Sequence, residues 1–363
     1  MPNSGVFVTL YDTDTLSLYL SRGVYGTLMH PAEDLRRSMH FHTLGDYACT
    51  RGETHVFFFL KRYIVYGGQV VGPKNQGAFF LNGTTSPMGE KQRAPLVWDE
   101  SKRTPRYSPC AEPGVFQVGD KGRYSQPYLI LFEDSSGLKG RAIASDQLYF
   151  RLGRYPYPLP TNSIQDMSFC TMTPGEVSVA LELLKRDCKK QYPVESKESV
   201  ELDGHPMPFK PDYGIGSVCE AYRKSELLNE AHLEASVLSN PELLPKSMRP
   251  GTATVCRQVP ISPFKPYQMD RADICYYSDP LIRDGTLPSK VIELKNKPAG
   301  TREIEQVTRY FDWLQLVGEN AVKDTELILY APSFRRTARL GQEYRDNIHL
   351  VSFDSSSHEQ EQL

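Results

Sequence analysis

The chain has 363 residues, of which 39% are hydrophobic and 24% charged, and its formal net charge is −2. This is the composition of a soluble globular protein with room for two or three domains, each large enough for its own core. No apolar stretch approaches the roughly 20 residues that a bilayer span needs, and the near-neutral balance excludes nucleic-acid binding by bulk charge, leaving a local basic groove as the only electrostatic route.

The first residues, MPNSGVFVTLYD, lack the basic start and apolar core of a signal peptide. The cysteine count of 7 is odd, and no pair has Cys-x-x-Cys spacing. A reducing, cytoplasmic setting is expected, without a structural zinc site. His30, His40 and His42 are close together, but no fourth ligand accompanies them.

The N-terminal half reads as β-rich. Val6 to Tyr11 and His55 to Gly72 are dense in Val, Phe, Tyr and Ile, and Tyr128 to Glu133 and Gln147 to Leu152 continue the strand composition. Gly67, Gly68 and Gly72 fit bulges or turns in bent strands. The run GDYACTRGETHVFFFLKRYIVYGGQVVG loosely resembles PUA-like and EVE-like modules. That resemblance implies a small barrel that cradles a flipped base between aromatic rings, with Tyr25, Tyr66 and Trp98 as candidates. Any small β-barrel core would show the same run, so a generic DNA-binding or oligomerisation domain stands beside this reading.

Basic candidates for a phosphate-facing groove are Lys91 and Arg93, then Arg103 and Arg106 in SKRTPRY, and later Arg335, Arg336 and Arg339. Exposed loops and helix faces commonly look the same. Proline-rich stretches at Tyr155 to Pro160 and Pro206 to Pro211 punctuate the middle of the chain. Between them, Pro174 to Lys189 predicts an amphipathic helix with Pro174 in its first turn. The expected organisation is a β-rich domain over residues 1–160, a bridging segment with a helix over 161–215, a C-terminal domain over 216–354, and a disordered polar tail over 355–363.

The last third carries the chemistry. Ser225 to Leu238 has helical apolar spacing with Ser225 as a candidate N-cap, and it ends at Ser239-Asn240-Pro241. Strands are predicted at Thr252 to Val259, Met269 to Tyr277 and Lys290 to Lys295, then a helix from Arg302 to Val317 with Thr301 as cap. Two more strands follow, Glu326 to Tyr330 and His349 to Phe353. Alternate residues of a strand share a face, so Glu293 and Lys295 point together while Leu294 packs behind. Residues four apart share a helix face, so Gln306 and Tyr310 also point together. The apolar flanks of VIELK mark a buried strand, where a carboxylate and an ammonium cost several kcal/mol each unless paired or metal-bound. Asp273 lies within the apolar run ADICYY, whereas Asp279-Pro280 reads as a turn.

Asp273, Glu293, Lys295, Gln306 and Tyr310, in that order, resemble the PD-(D/E)XK nuclease superfamily, and within it the RecB-like branch that adds Gln-x-x-x-Tyr on the following helix. The likeness covers about Tyr222 to Phe353, and Ala272 stands where many members have proline. LEASVLSNPELLP followed by VCRQVP also looks similar to NucS-type and Shedu-type nucleases. The resemblance implies an α/β, restriction-endonuclease-like core, a mixed sheet flanked by helices. It implies Mg²⁺, with Mn²⁺ as a substitute, held by Asp273, Glu293 and the carbonyl of Leu294, with Glu230 or Glu234 facing the metal and Glu230 preferred. Lys295 would orient water or stabilise charge, and Gln306 and Tyr310 would position the strand; Arg309, beside them on the helix, reads equally as a phosphate contact or as a solvated side chain.

The expected function is an endonuclease acting on DNA, with RNA not excluded, in defence against foreign DNA or in repair. A homo-oligomer is expected because one active site cuts one strand. No phosphate-binding loop of a motor domain is present. The competing class is an inactive binding or scaffold subunit, against which the intact set of acids and lysine argues.

Overall fold

In a computed structural model of the chain, the residues described are 4–26, 42, 45–74, 77–78, 80–81, 96–99, 104–107, 115–117, 123–125, 128–152, 169–194, 229–265, 268–278, 287–318 and 324–353. They form a mixed α/β structure built on two main sheets.

The first sheet runs β12-β1-β3-β4-β10-β2, from β1 (Gly5–Thr9), β2 (Val24–Gly26), β3 (His55–Leu60), β4 (Tyr63–Val70), β10 (Tyr128–Glu133) and β12 (Phe169–Met172). β5 (Phe80–Leu81) joins β10, and β11 (Arg141–Ala144) joins both β4 and β13 (Lys190–Gln191). Two small hairpins lie apart, β6 (Leu96–Asp99) with β7 (Thr104–Tyr107), and β8 (Val115–Gln117) with β9 (Arg123–Ser125).

The unbroken apolar run in β3 makes sense because both faces of this sheet are covered. Val6, Val8, Val56 and Phe58 enter one core, while Phe7, Phe57, Ile64 and Tyr66 enter the other. Each buried Phe contributes about 1.5–3 kcal/mol. Lys61 and Arg62 make the β3–β4 turn with φ of 49° and 72°, the paired left-handed geometry that matches strand twist. The register shifts between Val56 and Phe57, opposite Gly67 and Gly68, so the glycines do sit at a bulge.

Two expectations about secondary structure are corrected. Gln147 to Leu152 is not a strand but the larger part of the helix Ser145–Leu152. Leu148 is buried in one core beside Val177 and Ala180 of the helix Pro174–Arg186, and this packing overrides the β-forming composition. Residues 13–22 form a helix, capped by Asp12 and closed by Gly23 at φ 62°, inside the half read as β-rich. The segment expected to bridge is partly built into the first sheet, because β12 pairs with β1. The helix Pro174–Arg186 itself starts as predicted, with a reciprocal Thr173–Glu176 capping box and proline in its first turn.

The second sheet runs β14 (Thr254–Lys265), β15 (Gln268–Tyr277), β16 (Lys290–Leu294), β17 (Glu326–Ala331), β18 (Ile348–Ser352). β14, β15 and β16 are antiparallel, while β16, β17 and β18 are parallel. The helix Thr301–Gly318 is the crossover from β16 to β17. It packs Val307, Tyr310, Phe311 and Leu314 on one face of the sheet; the helix Glu230–Ser239 packs Leu233 and Val237 against Ile274, Ile292, Leu294 and Ile328. The cap of the Glu230–Ser239 helix is Asn229, which accepts from His232 N, and Ser225 lies outside the described residues. Thr301 is helical rather than a cap: its hydroxyl donates to Thr337, while Glu303 accepts from Gly300 N.

Among the described residues no helix is long and apolar enough to cross a membrane, and the five described cysteines are free.

Candidate active site

The β15–β16 ladder pairs Tyr276 with Lys290, Cys275 with Val291 and Ile274 with Ile292. One step further along, Asp273 and Glu293 would oppose each other, and there the ladder ends. The N–H of Leu294, which would otherwise seek a strand partner, donates to Asp273 Oδ2 at 2.7 Å. A side chain thus replaces a main-chain bond, and the two acids end up at a splayed strand edge.

Alternation along β16 does the rest. Val291 faces the Thr301–Gly318 helix, Ile292 and Leu294 face the other core, and Glu293 and Lys295 share the helix side. Lys295 Nζ donates to Glu293 Oε1 at 2.7 Å. The other oxygen, Glu293 Oε2, lies 3.2 Å from the Tyr310 hydroxyl. That hydroxyl accepts from Gln306 Nε2 at 2.6 Å and shares its proton with the Arg271 carbonyl at 3.1 Å. Glu230 Oε2 stands 3.5 Å from Lys295 Nζ. Glu293, Lys295, Gln306, Tyr310 and Glu230 therefore form one connected group, and Asp273 joins it through the main chain of Leu294.

Other candidates fall elsewhere. Arg309 donates to Asp270 Oδ2 at 2.9 Å from its guanidinium and is 40% exposed on the outer side of its helix. Arg335, Arg336 and Arg339 are exposed. Lys91, Arg93, Arg103, His30 and His40 lie outside the described residues, and Arg106 and Trp98 are described in backbone only, in β7 and β6. Tyr25 and Tyr66 do not line a base pocket. They are 3% and 1% exposed, buried in the cores on the two faces of the first sheet, because strand alternation turns them inward.

Gln258 and Arg257 escaped sequence reasoning, and His42, noted only beside His30 and His40, proves to stand here. Gln258 Nε2 donates to Asp273 Oδ1 at 2.9 Å and lies 3.2 Å from Glu234 Oε2. Arg257, wholly buried, bonds Glu234 through two nitrogens at 2.9 and 2.8 Å and Asp46 at 2.9 Å. His42 Nδ1 lies 2.8 Å from Arg257 Nη2, which can only donate, so Nδ1 accepts and the proton sits on Nε2. Burial, then the charges of Arg257 and Arg271, lower His42 to about 4 and keep it neutral. His42, Glu230, Gln258, Asp273, Asn296 and Lys297 border a cleft of about 440 Å³.

The electrostatics of the group are strained towards a cation. Burial, and then Glu234, raise the Asp273 carboxyl; burial, and then Asp273, raise Glu293. Burial works against the Lys295 ammonium, but Glu293, Asp273 and Glu230 overcome it and hold Lys295 charged above its ordinary range. Once ionised, the three carboxylates would outnumber the one ammonium by two negative charges, which a divalent ion would balance. The donors are all hard oxygens, the set that suits Mg²⁺ or Mn²⁺ rather than zinc or copper. Among the described residues no three His, Cys, Asp or Glu side chains converge tightly enough to hold an ion by themselves. Water and substrate oxygens would complete the shell, as Mg²⁺ prefers.

Tyr310→Phe tests the helix side of the group. It frees Glu293 Oε2 to turn and removes the hydroxyl that donates to the Arg271 carbonyl. A loss of roughly 10- to 100-fold in metal affinity or activity is expected, with about 1–3 kcal/mol of stability. Metal titration and urea unfolding of the variant check both numbers.

No protein-family model matches the chain, and no curated protein matches it. Among solved structures, the chain is similar to a repair endonuclease from Pyrococcus abyssi, with 12% identity over 91% of this chain and 99% of that one, at a TM-score of 0.22. It is similar in the same degree to a complex of EndoMS with double-stranded DNA, with 12% identity over 91% of this chain and 97% of that one, at a TM-score of 0.21. Both scores are too low to assign a shared fold, so the functional reading rests on the side chains alone.

Proposed function

We propose that the chain is a metal-dependent DNA endonuclease of the PD-(D/E)XK type, RecB-like branch, and that its role is defence against foreign DNA. One observation carries this reading: Asp273, Glu293 and Lys295 come together where the β15–β16 ladder ends, Asp273 and Glu230 border a cleft there, and the Tyr310–Gln306 pair fixes the inner oxygen of Glu293. A scaffold protein gains nothing from burying these charges, since two apolar residues of similar volume would be as stable or more so.

In this reading Asp273, Glu293 and the Leu294 carbonyl hold Mg²⁺ or Mn²⁺, with Glu230 beside them. The ion would supply Lewis-acid polarisation of the phosphoryl group and a more acidic water. Lys295, kept protonated by its three acids, donates to a non-bridging phosphate oxygen or to the attacking water and stabilises charge that develops in the transition state. Glu293, held on both oxygens, keeps Lys295 at that position. Lys297, exposed at the cleft rim, meets the phosphate backbone.

Residues 1–160 are assigned to substrate recognition and 216–354 to cleavage, with 161–215 linking them and contributing β12 to the first sheet. Two copies would cut both strands.

The test is incubation of purified protein with plasmid, linear, single-stranded and mismatch-bearing DNA, in Mg²⁺, Mn²⁺ or EDTA. Metal-dependent nicking or cutting of matched DNA is expected. Cutting confined to the mismatched duplex would make repair the role. Binding without cleavage of any form, in any metal, would replace the enzyme by a scaffold. Because Asp273 and Glu293 hold protons above the usual carboxylate range and must ionise to bind metal, cleavage at limiting Mg²⁺ should rise with pH through neutrality.

A further inference from the structure

Gln258 has φ 51°, a left-handed backbone conformation, within β14 between Arg257, which pairs with Ile274, and Val259, which pairs with Ala272. Glycine, Asn and Asp adopt this conformation readily; Gln has no local reason to. Consecutive residues of an extended strand point to opposite faces. Here both Arg257 and Gln258 reach the same Glu234 carboxylate, which the twist at Gln258 permits.

The twist also brings the amide between two acids. Asp273 Oδ1 lies 2.9 Å from Nε2, and the Glu234 oxygens lie 3.2 and 3.4 Å from it. The amide NH₂ carries two N–H donors, so it can serve both carboxylates at once. Glu234 cannot drift, because Arg257 grips both its oxygens. Asp273 is thereby fixed at both of its own: Leu294 N–H holds Oδ2 and Gln258 holds Oδ1.

We propose that Gln258 is a positioning residue for Asp273: it sets the plane of that carboxylate, and so the direction of the lone pairs left for a divalent ion. This rests on the reading of Asp273 as a metal-holding carboxylate. A residue kept in a strained conformation at a functional carboxylate is strain retained for geometry.

The experiment compares wild type with Gln258→Gly, which relieves the backbone and removes the amide, and Gln258→Asn, which accepts the left-handed backbone but is one methylene too short to span both acids. Mn²⁺ affinity is measured by calorimetry on the protein alone, melting temperature in EDTA, and kcat and KM on duplex DNA. Both variants should melt close to wild type, bind Mn²⁺ about 10- to 100-fold more weakly, and lose kcat by a similar factor, with KM for DNA unchanged. If Gln258→Gly melts far lower, Gln258→Asn carries the same measurement. A folded variant with wild-type Mn²⁺ affinity and kcat overturns the positioning role alone. Wild-type protein that binds no Mn²⁺ and cuts no DNA overturns the nuclease reading and this inference with it.

Discussion

Lys295→Met is expected to lower metal-dependent DNA cleavage by about 10³-fold or more while changing DNA affinity only a few-fold. The reason is where the ammonium sits. It is 13% exposed, 2.7 Å from Glu293 and 3.5 Å from Glu230, so it is committed to the site rather than to a surface contact. Loss of one preorganised donor to developing charge costs about 10²–10³-fold in rate. Here the same residue also balances the buried Glu293, and its removal adds to that loss. Affinity for DNA comes from many phosphate contacts, of which Lys295 is one at most. The dependence of log affinity on log salt should therefore flatten by about one unit and no more.

Methionine keeps the stem volume, so the core beneath should not collapse. Glu293, 2% exposed, then loses its ammonium and keeps its proton to still higher pH. A raised folded value stabilises the fold below the ordinary carboxylate range and loses that contribution as pH climbs through the folded value. The variant should thus stay folded near neutrality and weaken relative to wild type in alkaline buffer. Single-turnover cleavage, binding by fluorescence anisotropy at several salt concentrations, and melting against pH supply the readings. Cleavage at the wild-type rate would remove Lys295 from the mechanism and the proposed site with it.

How much of this was legible in the sequence depends on the range of the interaction. Period-two alternation in VIELK placed Glu293 and Lys295 on one face, and the two are hydrogen-bonded. The i,i+4 spacing put Gln306 beside Tyr310, and they too are bonded. The order of helix and strands around them follows equally local patterns. The helix after Asp12 was legible as well, from an Asp N-cap and a closing glycine, though strand-rich neighbours masked it. Gln147 to Leu152 misled because QLYFRL has β-forming composition and only contact with the Pro174–Arg186 helix decides its state.

The rest had no local signal. Gln258 looks like any polar residue until its φ is known. Asp46 and Arg257 are 211 positions apart and carry no periodicity that links them. The buried tyrosines of the first sheet show the converse error: aromatic residues between glycines suggested a pocket, and alternation turned Tyr25 and Tyr66 into core.

Arg257→Ala should be the most damaging single change to stability, at about 3–5 kcal/mol. The side chain is completely buried, and its partners Asp46 and Glu234 are 3% and 2% exposed. In a site this dry, a guanidinium between two carboxylates does not add much net stability, since desolvation offsets attraction. Removing only the cation is different, because two acids remain buried with nothing to neutralise them. They can protonate, but each then loses donors it cannot replace from water. The arginine also spans the two sheets: Asp46 precedes β3, whereas Glu234 lies on the helix against β16. Its own backbone, in β14 of the second sheet, is clamped to Thr171 in β12 of the first, its N–H donating to Thr171 Oγ1 at 2.9 Å and its carbonyl accepting from the same hydroxyl at 3.1 Å. The guanidinium packs so closely on Gly45 that a Cβ there would lie 2.8 Å from Nε.

Calorimetry should therefore show Arg257→Ala melting in two steps, as the sheets come apart before each unfolds, where wild type melts in one. A triple variant, Arg257→Met with Asp46→Asn and Glu234→Gln, removes all three charges and should recover most of the loss. If Arg257→Ala stays within about 1 kcal/mol of wild type, the network does not join the sheets. If the triple variant is as unstable as the single one, packing rather than charge holds them.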